Sequence, residues 1–208
     1  MEAFGVLRAI GAPLARDNVD TEVIIPIRRL IAFPRGQLGP YCFEPWRSAS
    51  GAAADRSFVL DRPRYRDARI LVTGANFGCG SSREAAVWAL WDMGFRCILA
   101  ESFGDIFQMN CLHNGLLAVA LARTRIEELL AELSSAEDPR MTVDLPRQLI
   151  VTPAVRSFGF TIAGEQRTAL LDGLDDVGLT LRYLAEIRQF EERDQVARPW
   201  VYRTVPRS

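Results

Sequence analysis

The segment over residues 69–100 constrains the fold more than any other. An apolar, β-branched run over 69–73 predicts a strand, and a glycine-rich loop follows it over 74–80. Residues 81–93 have the pattern of a helix that ends at a glycine, and residues 95–100 predict a second strand. A strand, a crossover helix and another strand in this order pair in parallel. The sequence therefore predicts an α/β fold with a parallel βαβ core.

Strand and helix patterns continue on both sides of this segment. Further strands are predicted over 4–10, 22–26, 116–121, 141–145, 148–152 and 158–162. Further helices are predicted over 103–110, over 124–133 from a capping box at Thr124 and Glu127, and over 179–193. No linker divides the chain, so residues 1–208 are expected to form a single domain with a mixed sheet. Its C-terminal tail, 194–208, is expected to face a partner or to be loose.

Two absences in the composition exclude several chemistries. All 25 basic residues are arginine, which excludes a Schiff-base lysine, a pyridoxal phosphate anchor and the lysine of a Walker loop. His113 is the only histidine, which excludes sites that need two imidazoles, such as HExxH zinc sites. His113 itself is predicted to lie in a turn or at the surface. Acid–base chemistry is therefore left to hydroxyls, carboxylates and arginine.

Charge and cysteine content indicate the setting in which the chain works. A net charge of −1 and a pI of about 5.9 favour neither nucleic acid nor a membrane as a partner. The four cysteines, Cys42, Cys79, Cys97 and Cys111, form no CxxC pair, so no metal or cluster site is expected in this chain. Reduced thiols, no signal peptide and no apolar run approaching ~20 residues together predict a cytoplasmic protein.

The motif that carries chemistry runs from Gly78 to Glu84, where a strand gives way to a helix. Glycines allow a ligand to approach the backbone closely, and free N–H groups at a helix start attract an anion. Arg83 adds a permanent charge with bidentate geometry. The same environment stabilises the alkoxide of Ser81, which is then able to act as a base without histidine. These features suit a substrate with carboxylates and an abstractable proton.

Two other interpretations of the same residues remain open. Ser81 and Glu84 have the spacing of a capping box, which is a purely structural role. The pattern Gly78-x-Gly80-x-x-Arg83 also partly matches a dinucleotide-binding loop, with Glu101 about 20 residues further on. That pattern lacks the third glycine, and its loop is too long. A stand-alone anion- or nucleotide-binding module is nevertheless the rival function.

Four motifs in order along the chain resemble one family. Asn76-Phe-Gly-Cys-Gly-Ser-Ser-Arg-Glu84 is similar to the signature of the small subunit of 3-isopropylmalate dehydratase, in the aconitase superfamily. Asp17–Pro26 resembles its DTDxIIP element, and Asp105–Asn110 followed by Asn114-Gly115 resembles its DIFxxN segment. Gly173–Leu181 resembles its GLDDIGLTL segment. The resemblance covers nearly the whole chain.

This resemblance implies a fold, a partner and a reaction. The fold is the swivelling β/β/α domain of aconitase-type enzymes, here as a separate chain. The partner is a large subunit that holds a [4Fe–4S] cluster, in a heterodimer or larger assembly, while this chain binds no cofactor itself. The substrate is a small dicarboxylate, because the family interconverts 2- and 3-isopropylmalate by dehydration and rehydration in leucine biosynthesis.

The resemblance also implies roles for individual residues. Ser81 is expected to take the proton from carbon, and Arg83 to hold the serine oxyanion. Ser82 and Arg83 are expected to bind a substrate carboxylate, with Asn76 as a further substrate-binding residue. Arg28 lies where the specificity loop of the family begins and is expected to contact a carboxylate, although a solvent-facing arginine is the alternative.

Three positions depart from the family pattern. The family usually has histidine where this chain has Ala85, proline where it has Val87, and aspartate where it has Glu22. The base and the arginine are retained, so an active enzyme is still expected. These departures leave a second substrate open, and the alternative is a paralogous subunit acting on another malate-like acid of the methylmalate, dimethylmalate or homocitrate type.

Overall fold

A computed structural model describes residues 1–47 and 58–202. The chain divides into two compact units, Met1–Gly173 and Leu174–Ser208, which are described separately below. The assignment of the whole chain to a single domain stays a prediction. Among the described residues, no helix is both long and apolar enough to cross a membrane.

The first unit is built on one mixed sheet. Its strands are β1 (Val6–Leu14), β2 (Ile70–Thr73), β3 (Cys97–Ala100), β4 (Leu117–Ala120), β5 (Arg140–Asp144), β6 (Leu149–Val151) and β7 (Ser157–Gly159). Its helices are α1 (Thr21–Ile24), α2 (Ile27–Ala32), α3 (Glu44–Arg47), α4 (Glu84–Met93), α5 (Asp105–His113), α6 (Arg123–Ser135) and α7 (Gly164–Asp172).

The strands lie in the order β4-β3-β2-β1-β5-β6-β7. Strands β1 to β4 pair in parallel, whereas β5, β6 and β7 extend the sheet from β1 in antiparallel fashion. The predicted α/β class, the mixed sheet and the parallel βαβ core from β2 through α4 to β3 are confirmed.

Both faces of the parallel half are covered, which explains its continuous apolar strands. Leu71 and Ile98 point into one core, which α4 covers with residues such as Leu90. Their neighbours Val72 and Leu99 point into a second core on the opposite face, where α6 packs. Because successive side chains alternate between faces, a buried strand needs apolar residues at every position. Both β2 and β3 are buried throughout.

The strand predicted over Glu22–Pro26 is wrong, because this segment starts with the short helix α1. The carboxylate of Asp20 accepts a hydrogen bond from the N–H of Val23 at 2.7 Å, which caps the first turn. Two further helices, α2 and α7, were not predicted at all. The apolar residues of Glu22–Pro26 suited either a strand or a helix, and the cap at Asp20 decided in favour of the helix.

The capping box predicted at Thr124 and Glu127 is wrong, and the structure does not support the capping-box interpretation of Ser81 and Glu84. Helix α4 begins at Glu84 with Arg83 as its N-cap, and α6 begins one residue before Thr124. Neither helix start has a side-chain capping bond. The closing residue of α4 is as expected, since Gly94 is left-handed with φ 111°. Ser81 is therefore not the N-cap of α4.

The second unit contains α8 (Asp176–Leu181) and α9 (Leu184–Ala197), in place of the single helix predicted over 179–193. Among its described residues, Asp194 alone is buried. The Asp194 carboxylate accepts hydrogen bonds from Arg198 Nε at 2.5 Å and from the Tyr202 hydroxyl at 2.9 Å. The predicted tail thus starts inside α9, and residues 203–208 of that prediction lie outside the described residues.

Candidate active site

An open depression of about 320 Å³ lies beyond the carboxyl ends of β2 and β3. Asn76 and residues 78–82, which follow β2, form one wall. Residues 104–107, at the start of α5, form the other. In open α/β sheets this edge is where ligands bind. Of the predicted site residues, the structure brings Asn76, Ser81 and Ser82 together in this depression.

The loop between β2 and α4 has an unusual backbone. Asn76, Gly78 and Gly80 all have positive φ, at 56°, 74° and 90°. At Gly78 glycine is required for a second reason, because a Cβ would lie 2.1 Å from Cγ of Phe107. The loop therefore packs directly on the ring of an α5 residue, and only glycine permits that approach.

Residues 19–21 hold the loop from one side. The N–H of Gly78 donates to Val19 O at 2.7 Å, and the N–H of Thr21 donates to Cys79 O at 2.9 Å. The Thr21 hydroxyl donates to the carbonyl of Ser81 at 3.0 Å. The position of Ser81 is thus set from its backbone, which leaves its own hydroxyl uncommitted to this scaffold.

The segment after β3 holds the loop from the other side. The N–H of Phe77 donates to Ser102 O at 3.0 Å, and the N–H of Gly104 returns a bond to Phe77 O at 2.9 Å. The Ser102 hydroxyl accepts from the N–H of Asn76 at 2.9 Å. The loop is consequently clamped between two segments that are distant along the chain.

Ser81 and Ser82 are exposed at the surface of the depression. They lie in the short stretch between the left-handed Gly80 and the first residue of α4. No hydrogen bond among the described residues uses the N–H groups of residues 80–82. Two hydroxyls and three backbone donors are therefore available to an anionic ligand at this point.

Arg83 is paired with a carboxylate from α1. Its Nη1 donates to Oε2 of Glu22, and the Arg83 side chain is 21% exposed. The other carboxylate oxygen of Glu22 accepts from the N–H of Ile27 at 3.2 Å. The hydrogen bond from Arg83 is the main reason that the pKa of Glu22 is lowered, and burial opposes it. Glu22 thus holds the side chain of Arg83, which follows Ser82 in the chain but is not among the residues that line the depression.

Asn76 is fixed by its side chain, since its Nδ2 donates to Oδ1 of Asn18 at 2.8 Å. Arg28 is placed differently and does not line the depression. Its guanidinium lies on α2, 67% exposed, with Nη2 3.2 Å from Oε2 of Glu44. Arg29 donates twice to the same carboxylate, at 2.8 and 2.5 Å. The pKa of Glu44 is lowered to about 2, mainly by the hydrogen bonds from Arg29 and further by Arg28.

Glu84, the fourth residue of the predicted capping box, has another partner. Its carboxylate accepts from Nδ2 of Asn114 at 2.8 Å, and Oδ1 of Asn114 accepts from the indole of Trp88 at 3.1 Å. Asn114 is buried just beyond the end of α5. This network joins the start of α4 to the end of α5. His113, the last residue of α5, is exposed and does not line the depression.

The cysteines of this chain do not fit a metal cluster. Cys42, Cys97 and Cys111 are fully buried, and burial raises the pKa of each thiol, which favours the protonated form. Cys79 lines the depression, and burial followed by the charge of Asp20 raises its pKa. The described residues include no group of three or more side chains placed to hold a metal ion.

Sequence reasoning missed the side chains that position the site. Asn18, Thr21 and Glu22 contact Asn76, Ser81 and Arg83 across about 60 positions of sequence. The Asp17–Pro26 motif could have pointed to them, because it contains all three positioning residues, but the sequence of the motif does not indicate which residues they contact.

Two family models match the chain. The first, described as the aconitase C-terminal domain, matches residues 1–124. The second, described as the C-terminal domain of the 3-isopropylmalate dehydratase small subunit, matches residues 176–204. The second match lies within the unit that follows Gly173.

Curated proteins that share one name match this chain over nearly their full length. A 3-isopropylmalate dehydratase small subunit of Magnetococcus marinus is 44% identical over 97% of this chain and 99% of the relative. One from Neisseria meningitidis serogroup A is 43% identical with the same coverage. A solved 3-isopropylmalate dehydratase (leuD) of Methanocaldococcus jannaschii has a TM-score of 0.65 and 25% identity, over 88% of this chain and 99% of that one. The chain belongs to the 3-isopropylmalate dehydratase small-subunit family of the aconitase superfamily.

Proposed function

We propose that this chain is the small subunit of a cytoplasmic 3-isopropylmalate dehydratase, a hydro-lyase of leucine biosynthesis. The enzyme interconverts 2-isopropylmalate and 3-isopropylmalate by removing water and adding it back. The observation that carries the proposal is the Ser81-Ser82-Arg83 segment, where two exposed hydroxyls line one depression and Glu22 holds the guanidinium of the adjacent Arg83. The near-full-length relatives of the same name support it.

Dehydration requires a base that takes a proton from carbon, and Ser81 is assigned this role. A serine is a base only as its alkoxide, so its negative charge must be stabilised. The N–H groups of residues 80–82, which make no bonds among the described residues, and the charge of Arg83 supply that stabilisation. The only histidine, His113, does not line the depression, so it offers no alternative base there.

Ser82, Arg83 and Asn76 are assigned to the substrate carboxylates. Glu22 engages Nη1 of Arg83 and leaves its other N–H groups for a bidentate contact with a carboxylate. Arg28 is assigned to a second carboxylate, from outside the lining of the depression. Its exposure supports this assignment, because Arg29 rather than Arg28 makes the two hydrogen bonds to Glu44.

The open depression forms one side of the complete site, and a large subunit is proposed to close the other. The buried cysteines of this chain do not fit a cluster, so a [4Fe–4S] group is assigned to that partner. Bound there, the cluster supplies a Lewis acid for the hydroxyl group of the substrate. The residues of this chain bind the carboxylates, orient the carbon acid and accept its proton.

Reconstitution with the cognate large subunit tests this assignment. We expect dehydratase activity only when both chains are present. Ser81→Ala should lower kcat by about 10²-fold or more, the scale of losing a general base. Ser134→Ala is the matched control, because Ser134 lies on α6 and its hydroxyl bonds only the preceding helical turn.

Other outcomes would decide between this role and its rivals. Activity of either chain alone would refute the two-subunit proposal. Full turnover by Ser81→Ala in an assembled complex would remove Ser81 as the base and leave the chain as a stabilising partner. Tight binding of NAD or a nucleotide by the isolated chain would favour the anion-binding module instead.

The substrate itself is tested separately because three positions depart from the family, among them Glu22, which holds Arg83. Ala85 is the second residue of α4, half-buried, where the family usually has an imidazole. Val87, in place of the usual proline, is buried in the core and continues the helix. We expect kcat/KM of the assembled enzyme to be highest for isopropylmalate. A higher value for methylmalate, dimethylmalate or a homocitrate-type acid would identify a paralogue.

A further inference from the structure

A second cleft lies at the edge of the sheet opposite the candidate active site. It measures about 170 Å³ and is lined by residues 2–7, Arg69, Trp91, Arg96 and Gly115. Arg69 directly precedes β2, and Arg96 directly precedes β3. The cleft is therefore at the amino ends of the strands whose carboxyl ends border the depression. None of the proposed dehydratase residues lies in it.

Arg96 is held rigidly and has one unsatisfied donor. Its guanidinium carbon lies 3.6 Å from the centre of the Trp91 ring, and Nη1 donates to the carbonyls of Trp91 at 3.0 Å and Phe95 at 2.8 Å. Its Nε is buried and makes no hydrogen bond. The carboxylate of Glu2 lies 3.6 Å from Nε, too far for a hydrogen bond. A buried charged donor without an acceptor is costly, and an anion would relieve that cost.

Arg69 adds a second positive charge to the same cleft. Its side chain is exposed and forms no ion pair among the described residues. Burial is the main reason that the pKa of Arg96 is lowered; the charge of Glu2 opposes this shift, and the nearby charge of Arg69 adds to it. Among the described residues that line the cleft, Glu2 supplies the only carboxylate, and its side chain is 63% exposed. The described lining of the cleft thus carries two positive charges and one exposed negative charge, and the carboxylate of Asp92 acts on Arg96 from outside that lining.

We propose that this cleft binds a small oxyanion, a carboxylate or a phosphate, between Arg69 and Arg96. The anion replaces the Glu2 carboxylate and accepts the hydrogen bond that Arg96 Nε lacks. Guanidinium groups match the geometry of both oxyanions. The volume accommodates a small molecule, since one liquid water occupies about 30 Å³. This site is independent of the proposed dehydratase chemistry.

Nuclear magnetic resonance of the full chain tests this proposal at constant ionic strength. Inorganic phosphate and acetate are titrated separately, and the Trp91 indole and Arg96 Nε–H signals are followed. We expect saturable shifts of both signals with at least one of the two anions. Arg69→Gln should weaken that binding by about tenfold, as for the loss of one charge-assisted hydrogen bond. Glu2→Gln should tighten it, because the competing carboxylate is gone.

Arg8→Gln is the matched control, since Arg8 is exposed on β1 and does not line the cleft. It should leave the affinity unchanged. Saturation by phosphate alone would assign a phosphate-type ligand, and saturation by acetate alone a carboxylate. The proposal is overturned if neither anion moves the two signals, if Glu2→Gln fails to tighten binding, or if Arg8→Gln weakens it as much as Arg69→Gln.

Discussion

Gly78→Ala tests whether the active-site loop depends on the contact between its backbone and Phe107. The new methyl group meets two separate obstacles. Gly78 has φ 74°, a conformation that a residue with a Cβ adopts at a cost of about 1–2 kcal/mol. The methyl group would also lie 2.1 to 2.5 Å from three atoms of the Phe107 ring.

The structure contains a control that separates these two costs. Gly36 has φ 91°, and a Cβ there meets nothing within 4 Å, so Gly36→Ala carries the backbone cost alone. At Gly78 the overpacked ring adds about 1–3 kcal/mol, because Phe107 is buried and must shift to admit the methyl group. We therefore expect Gly78→Ala to destabilise by about 2–5 kcal/mol and Gly36→Ala by about 1–2 kcal/mol.

Urea unfolding of the full chain measures both variants and the parent protein. The midpoints should fall in the order parent, Gly36→Ala, Gly78→Ala, with similar slopes, because neither change alters the surface exposed on unfolding. Equal destabilisation by the two substitutions would refute the argument from packing. The reconstituted enzyme should lose activity with Gly78→Ala alone, since Phe107 lines the depression.

Three further predictions follow from the charged and thiol groups. Arg83 lowers the pKa of Glu22 in the folded chain below its ordinary value of 4.5. The stabilisation by this ion pair is therefore complete above pH 4.5 and is lost as the pH falls through the lower pKa of the folded state. The destabilisation by Glu22→Gln, at most about 1 kcal/mol for such an exposed pair, should therefore shrink in urea titrations between pH 7 and pH 3. Arg29→Gln should lower the urea midpoint more than Arg28→Gln, because Arg29 donates two charge-assisted hydrogen bonds to Glu44 and Arg28 forms only an exposed ion pair with it. Arg28→Gln should instead lower activity. Ellman's reagent should modify Cys79 alone in the native chain, slowly because its pKa is raised, and all four thiols after unfolding.

The parallel core was predictable from local sequence because burial on both faces leaves a distinctive pattern. Residues 70–73 and 97–100 are apolar almost throughout, and no solvent-facing alternation competes with the assignment. The same reasoning failed over Glu22–Pro26, where Val-Ile-Ile suits a strand or a helix. The side chain of Asp20 decided that case through a bond of 2.7 Å to the N–H of Val23.

The sequence predicted which residue types form the site, but not which side chains pair with one another. The glycines and the Ser81-Ser82-Arg83 sequence indicated an anion-binding turn, and the structure places both serines in a depression. The partner of Arg83 is Glu22, which lies 61 positions away and is brought near by the fold. Local capping rules also misplaced the start of α4, because the carbonyl of Ser81 is bonded by Thr21 and the chain turns into the helix only after Arg83.

The clamping of the loop between two distant segments has a consequence for the order of folding. The amides of Thr21, Phe77 and Gly78 are bonded only when the chain before α1, the loop after β2 and the segment after β3 have met. Such contacts require the closure of long loops and form late compared with local helices. A chain that has formed α4 but not these contacts does not yet hold Ser81 and Ser82 in their native positions. Hydrogen exchange at these three amides would therefore time the arrival of a competent site during refolding.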